Sequence, residues 1–201
     1  LAFEAGRYRP VLLGLAMVPC FLSFLLRTIA WQTILGQEGP ALWFMQTFRL
    51  VSITDALGIT SSGAFLNTPQ AVILGLTYNF VPFMILPIYV SLEKIDPGLI
   101  SAAQDLYSTP RQAFRKIVLP LSLPGVFAGT LLTFIPAAGD YINAELLGNV
   151  KTSMIGSQIS KLFLKESNYP EAAALSFIFM AIITVGVLVY ARILGTDELS
   201  A

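Results

Sequence analysis

The chain has 201 residues, 55% of them hydrophobic and only 12% charged, with 12 Lys+Arg against 12 Asp+Glu. A soluble domain carries about 25% charged residues, so a chain with a mean hydropathy of +0.73 lacks the charge to cover a soluble surface and reads as membrane-embedded. The balanced charge points away from nucleic acid, and zero His with the single Cys20 excludes an intrachain disulfide and most zinc, haem or Cys–His chemistry.

A spanning helix needs about 20 mostly apolar residues, because about 30 Å of hydrocarbon is crossed at 1.5 Å per residue. Arg7 and Arg9 precede the first such segment, about 10–35, which Arg27 interrupts. A secretory leader starts this way, but no small-residue cleavage site follows. The residues before Arg7 read instead as the tail of something longer. Arg27 is expected near the outer end of the span, its long side chain snorkelling to the headgroups.

The stretch from Gly36 to Pro69 is long for a structureless connection and predicts a short helix near Trp43–Val51. The second span is about 70–92, with no charge from Ala56 to Leu92. The third is about 119–142, overlapping a charge-free run from 117 to 139, and the fourth is about 172–194. These long uninterrupted runs argue against a β-barrel. Pro19, Pro82, Pro87, Pro120, Pro124 and Pro136 lie in or beside the spans and predict bends. Gly125 and Gly129 form a small-residue pair at which another helix can approach closely. Between spans three and four, Met154, Ile155, Ile159, Leu162 and Phe163 recur at helical spacing beside Lys161 and Lys165. They predict an amphipathic helix, lying either on the membrane surface or over a pore mouth.

Cytoplasmic ends of spans are enriched in Lys and Arg. With the 93–120 loop inside, seven basic residues (Arg7, Arg9, Lys94, Arg111, Arg115, Lys116, Arg192) fall in the cytoplasm and four (Arg49, Lys151, Lys161, Lys165) outside.

That inner loop has the punctuation of two short helices. Asp96 followed by Pro97 is a start signal, after which Leu99, Ile100, Ala103, Leu106 and Tyr107 share a face. Thr109-Pro-Arg-Gln112 is a second start, a capping box with Pro in the first turn. By pattern alone the apolar ridge either docks on a partner or lies on the headgroups.

The stretch Ser101-Ala102-Ala103, then Asp105-Leu106, then Ile117-Val118-Leu119-Pro120 resembles the EAA loop of binding-protein-dependent ABC importers. That pattern is Glu-Ala-Ala, a Gly after three residues, nine more residues, and Ile-x-Leu-Pro. Ala102, Ala103, Ile117, Leu119 and Pro120 match it; Ser101 stands in place of its Glu and Tyr107 in place of its Gly. Leu121 to Thr130 and Phe134 to Tyr141 also resemble this family, and within it the permeases of spermidine/putrescine importers. The resemblance implies an all-α, polytopic membrane helical bundle of the ABC-importer permease (MetI-like) type. At least four spans lie in this chain, and two N-terminal spans are expected to precede it. It implies that residues 93–120 carry a coupling helix seated in a separate ATPase dimer, which binds the ATP-Mg. A second permease subunit, a periplasmic or lipid-anchored binding protein and membrane lipid complete the expected partners.

No Gly-x-x-x-x-Gly-Lys loop occurs, so the chain is not expected to hydrolyse ATP itself, nor to hold a metal or cofactor. An acidic group in or near a span is a functional candidate by default. Asp140 ends the third apolar run, with Tyr141, Asn143 and Glu145 after it. A polyamine is a cation, which Asp140 and Glu145 attract and Tyr141 can face with its ring; a cluster marking the outer interface is the alternative. Tyr78 and Asn79 are further polar groups on the second span that must face protein or water. The expected function is an inner-membrane permease for polyamines. Another cargo (sulfate, ferric iron, phosphonate) and a scaffold or ion-coupled carrier remain open.

Overall fold

The structure, a computed structural model, describes residues 6–47, 65–105, 109–149 and 152–194. A 3-10 turn at Gly6–Tyr8 leads into α1 (Arg9–Phe21), α2 (Phe24–Leu35) and α3 (Pro40–Thr47). There follow α4 (Pro69–Glu93), α5 (Pro97–Asp105), α6 (Pro110–Ala113), a π-helical turn (Phe114–Val118) and α7 (Leu119–Ala138). The short α8 (Ile142–Leu147), α9 (Ile155–Leu164) and α10 (Tyr169–Leu194) complete the order, with no strand among the described residues.

Among the described residues three helices are long and apolar enough to cross a membrane: Pro69–Glu93, Pro110–Ala138 and Tyr169–Arg192. The first expected span is not one helix. It breaks at Leu22–Ser23, and Arg9–Phe21 counts as a span only as a bent pair with Phe24–Thr47, at 93°. Ser23 is extended (φ −55°, ψ 134°) and accepts the first bond of α2 from the Arg27 N–H at 3.1 Å. Serine disfavours the helix interior because its hydroxyl competes for backbone groups.

The third span also differs from its expected bounds. Its helix stops at Ala138, short of residue 142, because Gly139 and the capping residue Asp140 end it. At its other end it does not begin at Leu119. The helix runs unbroken from Pro110 to Ala138, 29 residues. At 1.5 Å per residue that is about 43 Å, longer than the hydrocarbon of about 30 Å. The second helix of the loop is therefore continuous with the span. The predicted helix near Trp43–Val51 exists as α3 but starts earlier, at Pro40; residues 48–51 lie outside the described residues. The amphipathic helix predicted after span three is α9.

Contacts divide the chain into two compact units. The first holds the described residues within Leu1–Val18, Val81–Phe134 and Val185–Ala201. Here α7 packs on α4 at the predicted small-residue pair. A Cβ on Gly125 would lie 2.5 Å from the Pro87 carbonyl oxygen, and one on Gly129 would lie 2.7 Å from the Met84 sulfur. The Gly125 N–H donates to Ser91 Oγ at 3.1 Å. Arg9 pairs with Glu93 at 3.0 Å and lies over the Tyr89 ring, and Phe127 meets Tyr190 edge-on.

The second unit holds the described residues within Pro19–Phe80 and Ile135–Thr184. Its apolar core is Leu35, Ala71, Val72 and Leu147, with Trp31 and Leu76 packed against it. Gly156 lets the start of α9 press on the Gly139 carbonyl, where a side chain would collide. On α10 large apolar residues such as Phe177, Ile178 and Ile182 are exposed, the surface expected of a helix that meets lipid or another chain.

Candidate functional site

The candidate coupling loop forms from the start signals seen in the sequence. Asp96 Oδ1 accepts the Gly98 N–H at 2.8 Å, and α5 opens at Pro97. Thr109 and Gln112 form the reciprocal capping box, with the Thr109 N–H donating to Gln112 Oε1 at 3.0 Å and the Gln112 N–H to Thr109 Oγ1 at 3.4 Å. These bonds satisfy orphan donors at a helix start and fix where the chain turns.

Ser101, Ala102 and Asp105 are exposed on α5, and Ala103 is half-buried. The Ser101 hydroxyl bonds back to the Pro97 carbonyl at 3.3 Å, so it extends less polar reach than the glutamate of the resembling pattern. Leu106 and Tyr107 lie outside the described residues. The ridge read from spacing is split: Leu99 is 48% exposed, whereas Ile100 and Ala103 are half-covered, α5 lying against α6 and the π-turn.

Ile117 sits half-buried inside the π-turn, with Leu119 and Pro120 exposed just after it. The Leu119 N–H bonds to the Phe114 carbonyl, one residue further back than in an α-helix. Pro120 explains this. It gives no N–H to the Lys116 carbonyl, and its ring pushes on that turn, so the helix widens locally. Beside the loop a cavity of about 740 Å³ opens between α4, α5 and α7, lined by Pro87, Val90, Lys94, Leu99, Leu121 and Pro124 among others.

The candidate path residues divide into buried and exposed groups. Asn79 is 0% exposed and Asp140 8%. Asp140 caps α8: its Oδ1 accepts the Ile142 N–H at 2.8 Å and the Asn143 N–H at 3.2 Å, and its Oδ2 accepts from Asn143 Nδ2. Asn143 Oδ1 in turn accepts from Asn79 Nδ2 and from the Thr28 hydroxyl, both at 3.3 Å, the single Thr28 proton being shared with the Phe24 carbonyl at 3.1 Å. Asn79 and Asp140 thus belong to one buried network joining α2, α4 and α8.

Tyr141 and Glu145 lie outward of that network. Glu145 pairs with Lys165 and lines, with Lys161, Ser153 and Gln158, a cavity of about 380 Å³. Tyr141 is 39% exposed and borders a second cavity of about 420 Å³ with Phe163 and Phe179. Tyr78 packs edge-on against Trp31, centroids 5.4 Å apart.

Arg27 departs from its expectation of reaching the headgroups. It is 7% exposed, donates to the Asn79 carbonyl at 3.5 Å and lies over the Phe24 ring. Its partners on α4 and α2, Asn79 and Phe24, cover it. Thr28 and Asn143, central to the network, were not candidates by sequence. The available signal was a Thr beside Arg27 inside an apolar run, and an Asn three residues after Asp140.

The sequence profile described as "binding-protein-dependent transport system inner membrane component" matches residues 6–195. The chain is 37% identical over 187 residues to the spermidine/putrescine transport system permease protein PotB of Haemophilus influenzae, covering 92% of this chain and 62% of that protein. It is 36% identical over 193 residues to PotB of Escherichia coli, covering 96% and 67%. It is 32% identical over 201 residues to the inner membrane ABC transporter permease protein YdcU of Escherichia coli, covering 98% and 64%. The chain therefore spans about two thirds of the length of these curated relatives. Its fold is similar to a chain of a bacterial ABC transporter involved in the import of the acidic polysaccharide alginate, with a TM-score of 0.66 at 18% identity, covering 98% of this chain and 68% of that one.

Proposed function

Since the chain belongs to the family of inner membrane components of binding-protein-dependent transport systems, we propose that it is the permease subunit of an ATP-driven importer of polyamines such as spermidine or putrescine. It is an all-α, multi-pass protein of the bacterial inner membrane. The observation that carries the cargo is the identity of 35–37% to spermidine/putrescine permeases over more than nine tenths of the chain.

In this reading α5 and the capped start of α6 are the coupling element. Ser101, Ala102, Ala103 and Asp105, continued by Leu106 and Tyr107, face a groove of a separate ATPase subunit, which holds the ATP-Mg. Ile117, Leu119 and Pro120 join that element to the third span. Because Pro110–Ala138 is one helix, a displacement at the ATPase passes into the membrane as motion of a lever. Nucleotide binding then biases a two-state element, the physical requirement for transmission. A second permease subunit completes the path, and an outer binding protein delivers the cargo.

Within the path, Tyr78, Tyr141 and Glu145 supply the exposed rings and the carboxylate that suit an ammonium group. Asp140 and Asn79 stand behind them, Asp140 adding negative charge while it caps α8.

The test is uptake of labelled putrescine and spermidine in a deletion strain complemented with the full-length protein and its transport partners. Saturable, ATP-dependent polyamine uptake is expected; uptake of sulfate or ferric iron in its place would transfer the reading to another cargo. Ala103→Asp puts a charge in the docking face and should abolish uptake with expression near normal. Wild-type uptake by that variant would remove the coupling role.

A further inference from the structure

The short helix α8 carries Tyr141 at its start and Glu145 on its outer side, yet it has only six residues. A helix that short does not hold itself in water or in lipid, because nucleation costs more than one turn returns. Its position must come from tertiary bonds. Two of its inward residues supply them. Leu147, 0% exposed, fills the apolar half against Ala71 and Val72. Asn143, also 0% exposed, uses both ends of its amide: Oδ1 accepts from Thr28 and Asn79, and Nδ2 donates to Asp140. Gly75 makes room for this, since a Cβ there would lie 2.8 Å from Asn143 Oδ1.

The network is a poor device for stability. Asn79 Oδ1 and Arg27 Nε are buried without a partner among the described residues, and a partly satisfied buried network costs more than an apolar core of the same shape. What directional bonds supply, and apolar packing does not, is a single register of α8 on α2 and α4. We infer that Thr28, Asn79 and Asn143 are positioning residues for cargo recognition: they fix α8 so that Tyr141 and Glu145 meet the cargo in one geometry. This rests on the importer reading and adds a role for three buried side chains that stand behind the exposed Tyr141 and Glu145.

Thr28 separates this role from packing. Thr28→Val keeps the volume and removes the hydroxyl; Thr28→Ser keeps the hydroxyl and removes a methyl. A packing role ranks Val above Ser, and a positioning role ranks Ser above Val. In the full complex reconstituted in liposomes, Thr28→Val should raise the half-saturating polyamine concentration about three- to tenfold at unchanged basal ATPase, the range of one buried hydrogen bond. Thr28→Ser should stay near wild type. Amide exchange over Ile142–Leu147 should quicken in the Val variant only. Equal half-saturation in the two variants, or Ser weaker than Val, overturns the inference. Uptake by the unmodified complex tests the importer reading separately, and the exchange comparison holds for any cargo. If Thr28→Val fails to assemble, exchange in Asn79→Leu against Asn79→Gln gives the same ranking, and faster exchange in Gln overturns the inference.

Discussion

At Gly125 a Cβ would meet backbone, the Pro87 carbonyl oxygen, and the Ser91 Cβ, both at 2.5 Å. At Gly129 the nearest atom is the end of a flexible side chain, Met84 Sδ. Overpacking against backbone costs about 1–3 kcal/mol, whereas a thioether can move aside. Gly125→Ala should therefore lower the melting temperature of the purified complex clearly more than Gly129→Ala, and the reverse order in a thermal unfolding series would contradict this packing. Asp140 argues similarly from its partners. Asp140→Asn can still accept from the Ile142 and Asn143 amides, but its NH₂ group would then face Asn143 Nδ2 as donor against donor. A lost bond of this kind costs about 1 kcal/mol. Uptake should fall while assembly with the ATPase is retained; unchanged uptake would leave Asp140 as a cap with no part in transport. The sequence exposed Asp140 because charge beside an apolar run is conspicuous. It did not expose Thr28 or Asn143, because a single Thr or Asn is unremarkable until three elements bring the side chains together.

Among elements, the most legible were those with chemical start signals. Asp96-Pro97 and the Thr109–Gln112 box are local interactions, complete within four residues, so the sequence contains both partners. The break at Leu22–Ser23 and the π-turn were not read, because each depends on how a turn accommodates a residue that disfavours it. The π-turn carries a prediction. Pro120→Ala restores an N–H for the Lys116 carbonyl and removes the ring clash. The turn should revert toward α-helix, rotating α6 relative to α7 and weakening coupling. The expected result is retained assembly with reduced uptake per ATP hydrolysed; a wild-type ratio would show that the widened turn does not matter. The continuity of Pro110–Ala138 makes this the one local irregularity between α6 and the third span.

For the whole molecule, the apolar composition sets the membrane environment, and the bias of Lys and Arg predicts that the 93–120 loop is cytoplasmic. With Cys20 replaced by Ser, Ser101→Cys should react with a membrane-impermeant maleimide only from the cytoplasmic side, since Ser101 is exposed on α5. Labelling from outside would invert the topology and remove the ATPase from reach of the loop. Large apolar side chains exposed on α10 and on α1, such as Val185 and Leu15, mark surfaces that lipid or other subunits cover. They are not a core, and a chain of this composition is not expected to be soluble alone.

By itself the sequence determined the properties that short stretches carry: which segments are apolar enough to enter lipid, where helices with capping signals start, and membership of a transporter family. Each is a sum over neighbours along the chain. The tertiary structure alone decided that Arg27 is buried and that Asn143 is held by Thr28 and Asn79 from 115 and 64 residues away. Such bonds depend on which faces of separate helices meet, and no local pattern encodes that meeting.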